Sequence, residues 1–114
     1  MQPPSFSLRR RRIVFLVIGF ALIVAGCADD TSGQFGQELF EQVCAVCHGV
    51  DGSGSPGRPA IGAGSDAAQL SDDQIRGVMQ GGPGAMPSFR RHSEEQLDSL
   101  VEYVRTLQAG EPTD

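Results

Sequence analysis

Lysine is missing from this 114-residue chain: all nine basic residues are arginine, and four of them stand together at Arg9 to Arg12. Against 14 Asp and Glu the formal net charge is −5. Loss of residues 1 to 26 would remove those four arginines and no carboxylate, leaving five arginines against 14 carboxylates and a net charge of −9. Such an acidic surface argues against nucleic acid or anionic lipid as a direct docking partner, and favours a partner with a basic face. Long apolar runs are also lacking. Ile13 to Gly26 is about 14 residues, which at ~1.5 Å each falls short of a ~30 Å hydrocarbon core, so a permanent transmembrane helix is the weaker reading. No stretch alternates apolar and polar residues in steps of two with β-branched side chains, which excludes a substantial sheet, and no internal repeat is visible. Cysteine is scarce. There are three, Cys27, Cys44 and Cys47, and each has a separate explanation below. A disulfide framework is therefore not expected, and a folding unit of ~80 residues needs another source of stability.

What is present begins with an export signal: the arginine run, the apolar run and then Cys27. Val24-Ala25-Gly26-Cys27 resembles the lipobox of bacterial lipoproteins, in which the leader is cut before a cysteine whose sulfur takes a diacylglycerol. Residues 1–26 then form the signal peptide, and Cys27 carries the lipid. A cut after Ala28, an uncleaved anchor, and a twin-arginine reading of Arg11-Arg12 are the alternatives. All of them put the domain outside the cytoplasm. The lipid reading ties it to the outer face of the cytoplasmic membrane, in a periplasm or at the cell surface. Residues 27–33 are small, polar and acidic, as in a linker, and from Cys27 to Gln34 the chain stretches only ~25 Å at ~3.4 Å per residue.

Residues 34–110 carry the pattern of a helical domain, with 111–114 a tail. Gln34 to His48 reads as one helix, with Phe35, Leu39, Val43, Val46 and Cys47 on one stripe and Gly36, Phe40, Cys44 and His48 on a second row. Gly49 to Gly64 holds six glycines and two prolines, which excludes regular structure and makes an ordered loop around something. Ser71-Asp72-Asp73-Gln74 is a capping box opening a short helix with Ile75, Val78 and Met79, stopped at Gly81-Gly82-Pro83. Ser93-Glu94-Glu95-Gln96 opens a last helix, in which Leu97, Leu100, Val101, Val104 and Leu107 recur at helical spacing until Gly110.

The chemistry sits in Cys44-Ala45-Val46-Cys47-His48, a C-x-x-C-H haem-attachment signature. Two thiols two residues apart can add across the vinyl groups of one porphyrin edge, and the imidazole that follows is held under the iron. A thioredoxin-like dithiol and half of a zinc site are the alternatives. The first would want a strand before the motif. The second needs more ligands, and only His92 remains.

Gly36-x-x-Leu39-Phe40-x-x-x-Cys44-x-x-Cys47-His48-Gly49, the glycine-rich loop and the final Leu-x-x-Tyr helix resemble a small class I c-type cytochrome over residues 34 to 108. The resemblance implies an all-α fold of three to four short helices around one covalently attached haem c. Its first and last helices cross, with Gly36, Phe40, Leu100 and Tyr103 in the places that meet. It also implies a proline carbonyl that accepts the proximal histidine's Nδ1–H. Pro59 is the match, with Ile61 on the haem face, and Pro56 is the competitor. For the sixth ligand Met86 stands in the Gly-Ala-Met-Pro turn where the family presents its thioether, braced by Pro87. Met79 reads as core packing and His92 as a solvated loop residue. A His48/Met86 pair would give a carrier of moderate to high potential. Arg58, Arg90 and Arg91 can pair with the haem propionates, form a docking patch or simply be solvated.

An electron-transfer protein, not an enzyme, follows from one haem and little chain left for a substrate pocket. The expected partners are redox proteins, a membrane respiratory complex or a dehydrogenase, met as a free monomer or as a subunit of a larger complex. A haem gas sensor or peroxidase is the reading from another class, and it requires a displaceable sixth ligand.

Overall fold

The computed structural model describes residues 31–111; the leader, the lipobox ending at Cys27 and residues 112–114 lie outside them. Among the described residues α-helices run in the order α1 (Gly36–Val43), α2 (Ala45–His48), α3 (Asp72–Gly81) and α4 (Glu94–Ala109), with a 3-10 turn at Asp66–Gln69. Among the described residues there is no strand, only one isolated bridge between Ser55 and Arg58. The fold is all-α.

Both capping boxes form as the sequence spells them. Ser71 Oγ accepts from Gln74 N and the Gln74 side chain from Ser71 N at the start of α3, and Ser93 and Gln96 repeat the exchange on α4. Each satisfies two of the orphan N–H groups of a helix start. The acidic residues behind them, Asp72, Asp73, Glu94 and Glu95, face the positive end of the helix dipole. Gly82 and Gly110 end the two helices in the left-handed conformation, where a side chain would be strained.

The core forms where α1 packs across α4. Leu39, Phe40, Leu97 and Leu100 are fully buried, and the Phe40 and Tyr103 rings lie 5.1 Å apart and tilted by 57°. Ile75 and Met79 join from α3, and Phe89 from the segment that follows. On the surface Arg76 pairs with Glu94 and Asp98, and Arg105 reaches Asp72 at 2.8 Å, so both arginines tie α3 to α4. Such exposed pairs contribute about 0–1 kcal/mol each.

The first helix differs from the expected single run to His48. It breaks at Cys44, whose φ of −110° departs from helical geometry. Cys47 N then bonds to Cys44 O at 3.1 Å, a tighter three-residue turn that re-aims the chain. Because the break shifts the phase, the stripe does not stay on one face. Val46 is 80 % exposed and Phe35, standing before the helix, is 47 % exposed, while Phe40 of the second row is buried. Val78, grouped with Ile75 and Met79 by the pattern, is also partly exposed.

Gly36 has a different role from a close-approach glycine at the crossing. A Cβ there meets nothing within 4 Å, but its φ is +54°, so the position needs glycine for conformation. Its N–H donates to Ser99 Oγ at 2.9 Å. Nearby, the buried Gln96 amide donates to the carbonyls of Thr31 (2.8 Å) and Gln34 (3.2 Å). One side chain thus caps α4 and pins the incoming chain to it from Thr31 onward.

Candidate cofactor site

Cys44 closes α1 and opens α2, with its N–H on Phe40 O at 2.8 Å, and His48 N returns to Cys44 O at 3.0 Å. This one turn carries both thiols and the imidazole. Cys44 is 8 % exposed and belongs to the core, Cys47 is half-buried, and neither is in a disulfide. Burial first, and the charge of Cys47 second, push the Cys44 thiol up to about 12, so its neutral form is strongly favoured. A thioether, which carries no charge, suits that environment.

His48 is oriented by the loop that follows. Its Nδ1 lies 2.8 Å from Pro59 O, and since a carbonyl can only accept, Nδ1 carries the proton and donates. Nε2 is then left as an unprotonated ligand nitrogen, the second-shell arrangement that fixes a metal-binding histidine's tautomer and basicity. Pro56 makes no such bond. The loop is itself fastened to the motif: Gly54 N donates to His48 O at 2.7 Å and Ser55 Oγ to Cys47 O at 2.8 Å. Ile61 N and Gly62 N both reach Gly52 O, at 2.8 and 2.9 Å. Gly54, with φ +84°, lies so close that a Cβ would stand 2.8 Å from Arg58 O and 3.1 Å from Pro59 C. Only glycine lets the Pro59 segment fold against it.

Met86 stands in a second fastened loop. Its N–H reaches Pro83 O at 3.1 Å, Ser88 Oγ donates to Gln80 O at 2.6 Å, and Phe89 N donates to Met79 O at 2.9 Å. Gly82 is the close-approach point, where a Cβ would meet Ser88 N at 2.7 Å and Met86 O at 2.8 Å. Met86 is partly buried, with Val43, Ala45, Ile61 and Leu70 also packed against the core and only partly covered by protein. Apolar side chains that the protein leaves partly uncovered suit an apolar macrocycle.

Met79 is buried in the core, as packing requires. His92 departs from the solvated reading: both ring nitrogens are buried without a partner among the described residues, and the ring stands edge-on to Phe89 at 5.5 Å. Arg58, Arg90 and Arg91 are exposed on the two loops. Gly54, Ser55, Gly82 and Ser88, which hold those loops, were not singled out by the sequence for these roles. Their partners lie across a turn or at a helix end, and no local pattern encodes such approaches. Among the described residues no three His, Cys, Asp or Glu converge on a common point.

An all-α domain with a Cys-x-x-Cys-His turn, a carbonyl-anchored histidine and a fastened methionine loop is a small c-type cytochrome domain. The chain belongs to the cytochrome c family: residues 32–104 match the family described as Cytochrome C oxidase, cbb3-type, subunit III. It is 27 % identical over 109 residues to the 4-cresol dehydrogenase (hydroxylating) cytochrome c subunit of Pseudomonas putida, covering 90 % of this chain and 88 % of that one. It is 31 % identical to the Cbb3-type cytochrome c oxidase subunit CcoP of Rhodobacter capsulatus, covering 83 % of this chain but 36 % of that longer protein. A Cytochrome c-553-like protein of Synechocystis sp. is 33 % identical over 72 residues, 63 % of this chain and 66 % of that one. As in this family, haem c is covalently attached.

Proposed function

We propose that the chain is a monohaem electron carrier, held outside the cytoplasm by a lipid on Cys27, with His48 and Met86 as axial ligands. The observation that carries the reading is the 2.8 Å bond from His48 Nδ1 to Pro59 O, which would leave Nε2 for iron on the same turn that carries the two cysteines. Thioethers at Cys44 and Cys47 would hold the haem to this turn, and Ile61 would pack against it. When bound, haem c supplies a one-electron couple between Fe(III) and Fe(II). The soft Met86 sulfur favours the reduced form and so raises the potential relative to a second imidazole. The hydrogen bonds around Pro59 and Met86 fasten both loops, so the side chains that would hold the haem are fixed by the protein.

The tether is shorter than the linker alone suggests. With Thr31 pinned by Gln96, a lipid on Cys27 would be four residues away along the chain, at most ~14 Å at ~3.4 Å per residue. Redox partners within that reach of the membrane, a respiratory complex or a dehydrogenase, are the ones it serves. A fixed subunit of such a complex is the second reading, favoured by the two relatives whose names place them in a dehydrogenase and an oxidase. A stoichiometric partner that stays bound through purification in mild detergent selects it over the free carrier.

Oxidised protein is expected to show the far-red sulfur–iron charge-transfer band. Met86→Ala should abolish it, whereas Met79→Ala should keep it while losing about 2–5 kcal/mol of stability from the core. A band that persists in Met86→Ala overturns the ligand assignment, and rapid carbon monoxide binding to the reduced native protein would support the sensor or peroxidase reading instead. The tether has its own test: native protein should carry diacylglycerol mass on Cys27, and Cys27→Ser should leave the membrane fraction. Membrane retention of Cys27→Ser points to an uncleaved anchor.

A further inference from the structure

The carbonyl that orients His48 belongs to a loop without helix or ladder, so side chains from elsewhere must hold it in register. Its near end is fastened to the motif by Gly54 and Ser55. Its far end leans on α4. Gln108 Nε2 donates to Ile61 O at 3.2 Å. Gly52, whose carbonyl receives Ile61 N and Gly62 N, lies so near α4 that a Cβ on it would stand 3.4 Å from Leu107 Cδ1. Which end of the Gln108 amide faces the loop is decided by Arg105, one turn earlier on α4. Arg105 Nη1 donates to Gln108 Oε1 at 2.6 Å. A guanidinium has donors and no acceptor, so it takes the oxygen of that amide and leaves the NH2 group for Ile61 O. Arg105 is itself held: Nε donates to Asp72 Oδ1 at 2.8 Å and Nη2 to Leu70 O at 2.5 Å. A guanidinium forked over a carboxylate, a backbone carbonyl and an amide oxygen keeps little freedom.

We infer that Gln108, aimed by Arg105, is a positioning residue for His48: it holds the Ile61 peptide, two residues from Pro59, and so keeps the Pro59 carbonyl on Nδ1–H. The inference rests on the reading of His48 as the proximal ligand and adds the residues, on a different helix, that tune it. The basicity of Nε2 grows with the strength of the bond made at Nδ1. Loosening Pro59 therefore makes the imidazole a poorer donor, which disfavours Fe(III) and raises the reduction potential. Arg76 supplies the comparison within the same molecule. It also ties α3 to α4, but its bonds go to Glu94 and Asp98, outside this loop.

The test uses the reduced holoprotein labelled with nitrogen-15 histidine, with a redox titration alongside. Gln108→Leu removes the donor without adding charge. It should quicken solvent exchange of the His48 Nδ1–H roughly fivefold, the effect of losing one net hydrogen bond on local opening, and it should raise the potential. Arg105→Lys keeps the charge but has no fork to span Asp72, Leu70 O and Gln108 together, so it should move both readouts the same way by less. The double variant should go no further than Gln108→Leu alone, because both changes act through one amide. Arg76→Lys should weaken the α3–α4 tie and leave exchange and potential at native values. Arg105→Lys, which retains Gln108, carries the test by itself if Gln108→Leu does not fold.

Native exchange and native potential in Gln108→Leu, or in Arg105→Lys where that variant stands alone, overturn the inference. So does Arg76→Lys moving both readouts by as much, since general loosening of α3 against α4 would then be the cause. Failure of the underlying reading looks different: the native reduced protein would lack the upfield, ring-current-shifted signals of a haem-bound His48 ring before any variant is made.

Discussion

Phe40→Ala is expected to lower the stability of the domain by about 3–5 kcal/mol, more than any other single truncation on α1. Its ring is fully buried and stacks at an angle against Tyr103 at 5.1 Å, so the change removes apolar burial, opens a cavity and breaks an aromatic pair together. A unit of ~80 residues has roughly 4–12 kcal/mol in total, so this loss is a large share. At about 4–8 °C per kcal/mol for a domain of this size, the midpoint of thermal unfolding should drop by more than ~12 °C. Phe35→Ala is the matched control. The same residue type five positions earlier is 47 % exposed, and its removal should cost less than ~1 kcal/mol. Equal losses in the two variants would contradict the assignment of Phe40, not Phe35, to the core.

That contrast also marks where the sequence stops being readable. Phe35 and Phe40 both lie on helical rows, and periodicity ranked Phe35 with the main stripe. What decides between them is the start of α1 at Gly36 and the break at Cys44, both set by backbone geometry that apolar spacing does not register. Where the signal is local the reading is good. Ser71 with Gln74, Ser93 with Gln96, and the stops at Gly82 and Gly110 all involve residues within one turn of each other, so the whole mechanism is in view. The Cys44-Cys47-His48 turn is legible for the same reason, and the family resemblance supplied the candidate carbonyl at Pro59. The burial of the His92 ring against Phe89, the 3-10 turn at Asp66–Gln69 and the glycines that let the two ligand loops fold back depend on contacts between segments, which no short pattern carries.

Gly82→Ala is expected to disable the Met86 loop while leaving the α1/α4 core intact. At φ +60° an L side chain costs about 1–2 kcal/mol by itself. The added Cβ would also press on Ser88 N, Met86 O and Pro87 C at 2.7–2.8 Å, all of them backbone atoms or carbonyls that cannot rotate aside. Relief requires the loop to lift, and that strains the Ser88 bond to Gln80 O and the Phe89 bond to Met79 O. If Met86 is the distal ligand, the sulfur–iron band should weaken or vanish and the reduction potential should fall, with helical content unchanged by circular dichroism. Two neighbours separate the causes. Gly84 has the same φ with nothing within 4 Å of a Cβ, so Gly84→Ala carries only the conformational cost and should keep the band. Gly81, at the end of α3 with open space around it and no positive φ, should accept alanine with a gain of about 0.5–1 kcal/mol. The band therefore distinguishes the crowded position from the strained one, and a Gly82→Ala protein with native spectrum and potential would mean that the loop does not depend on this close approach.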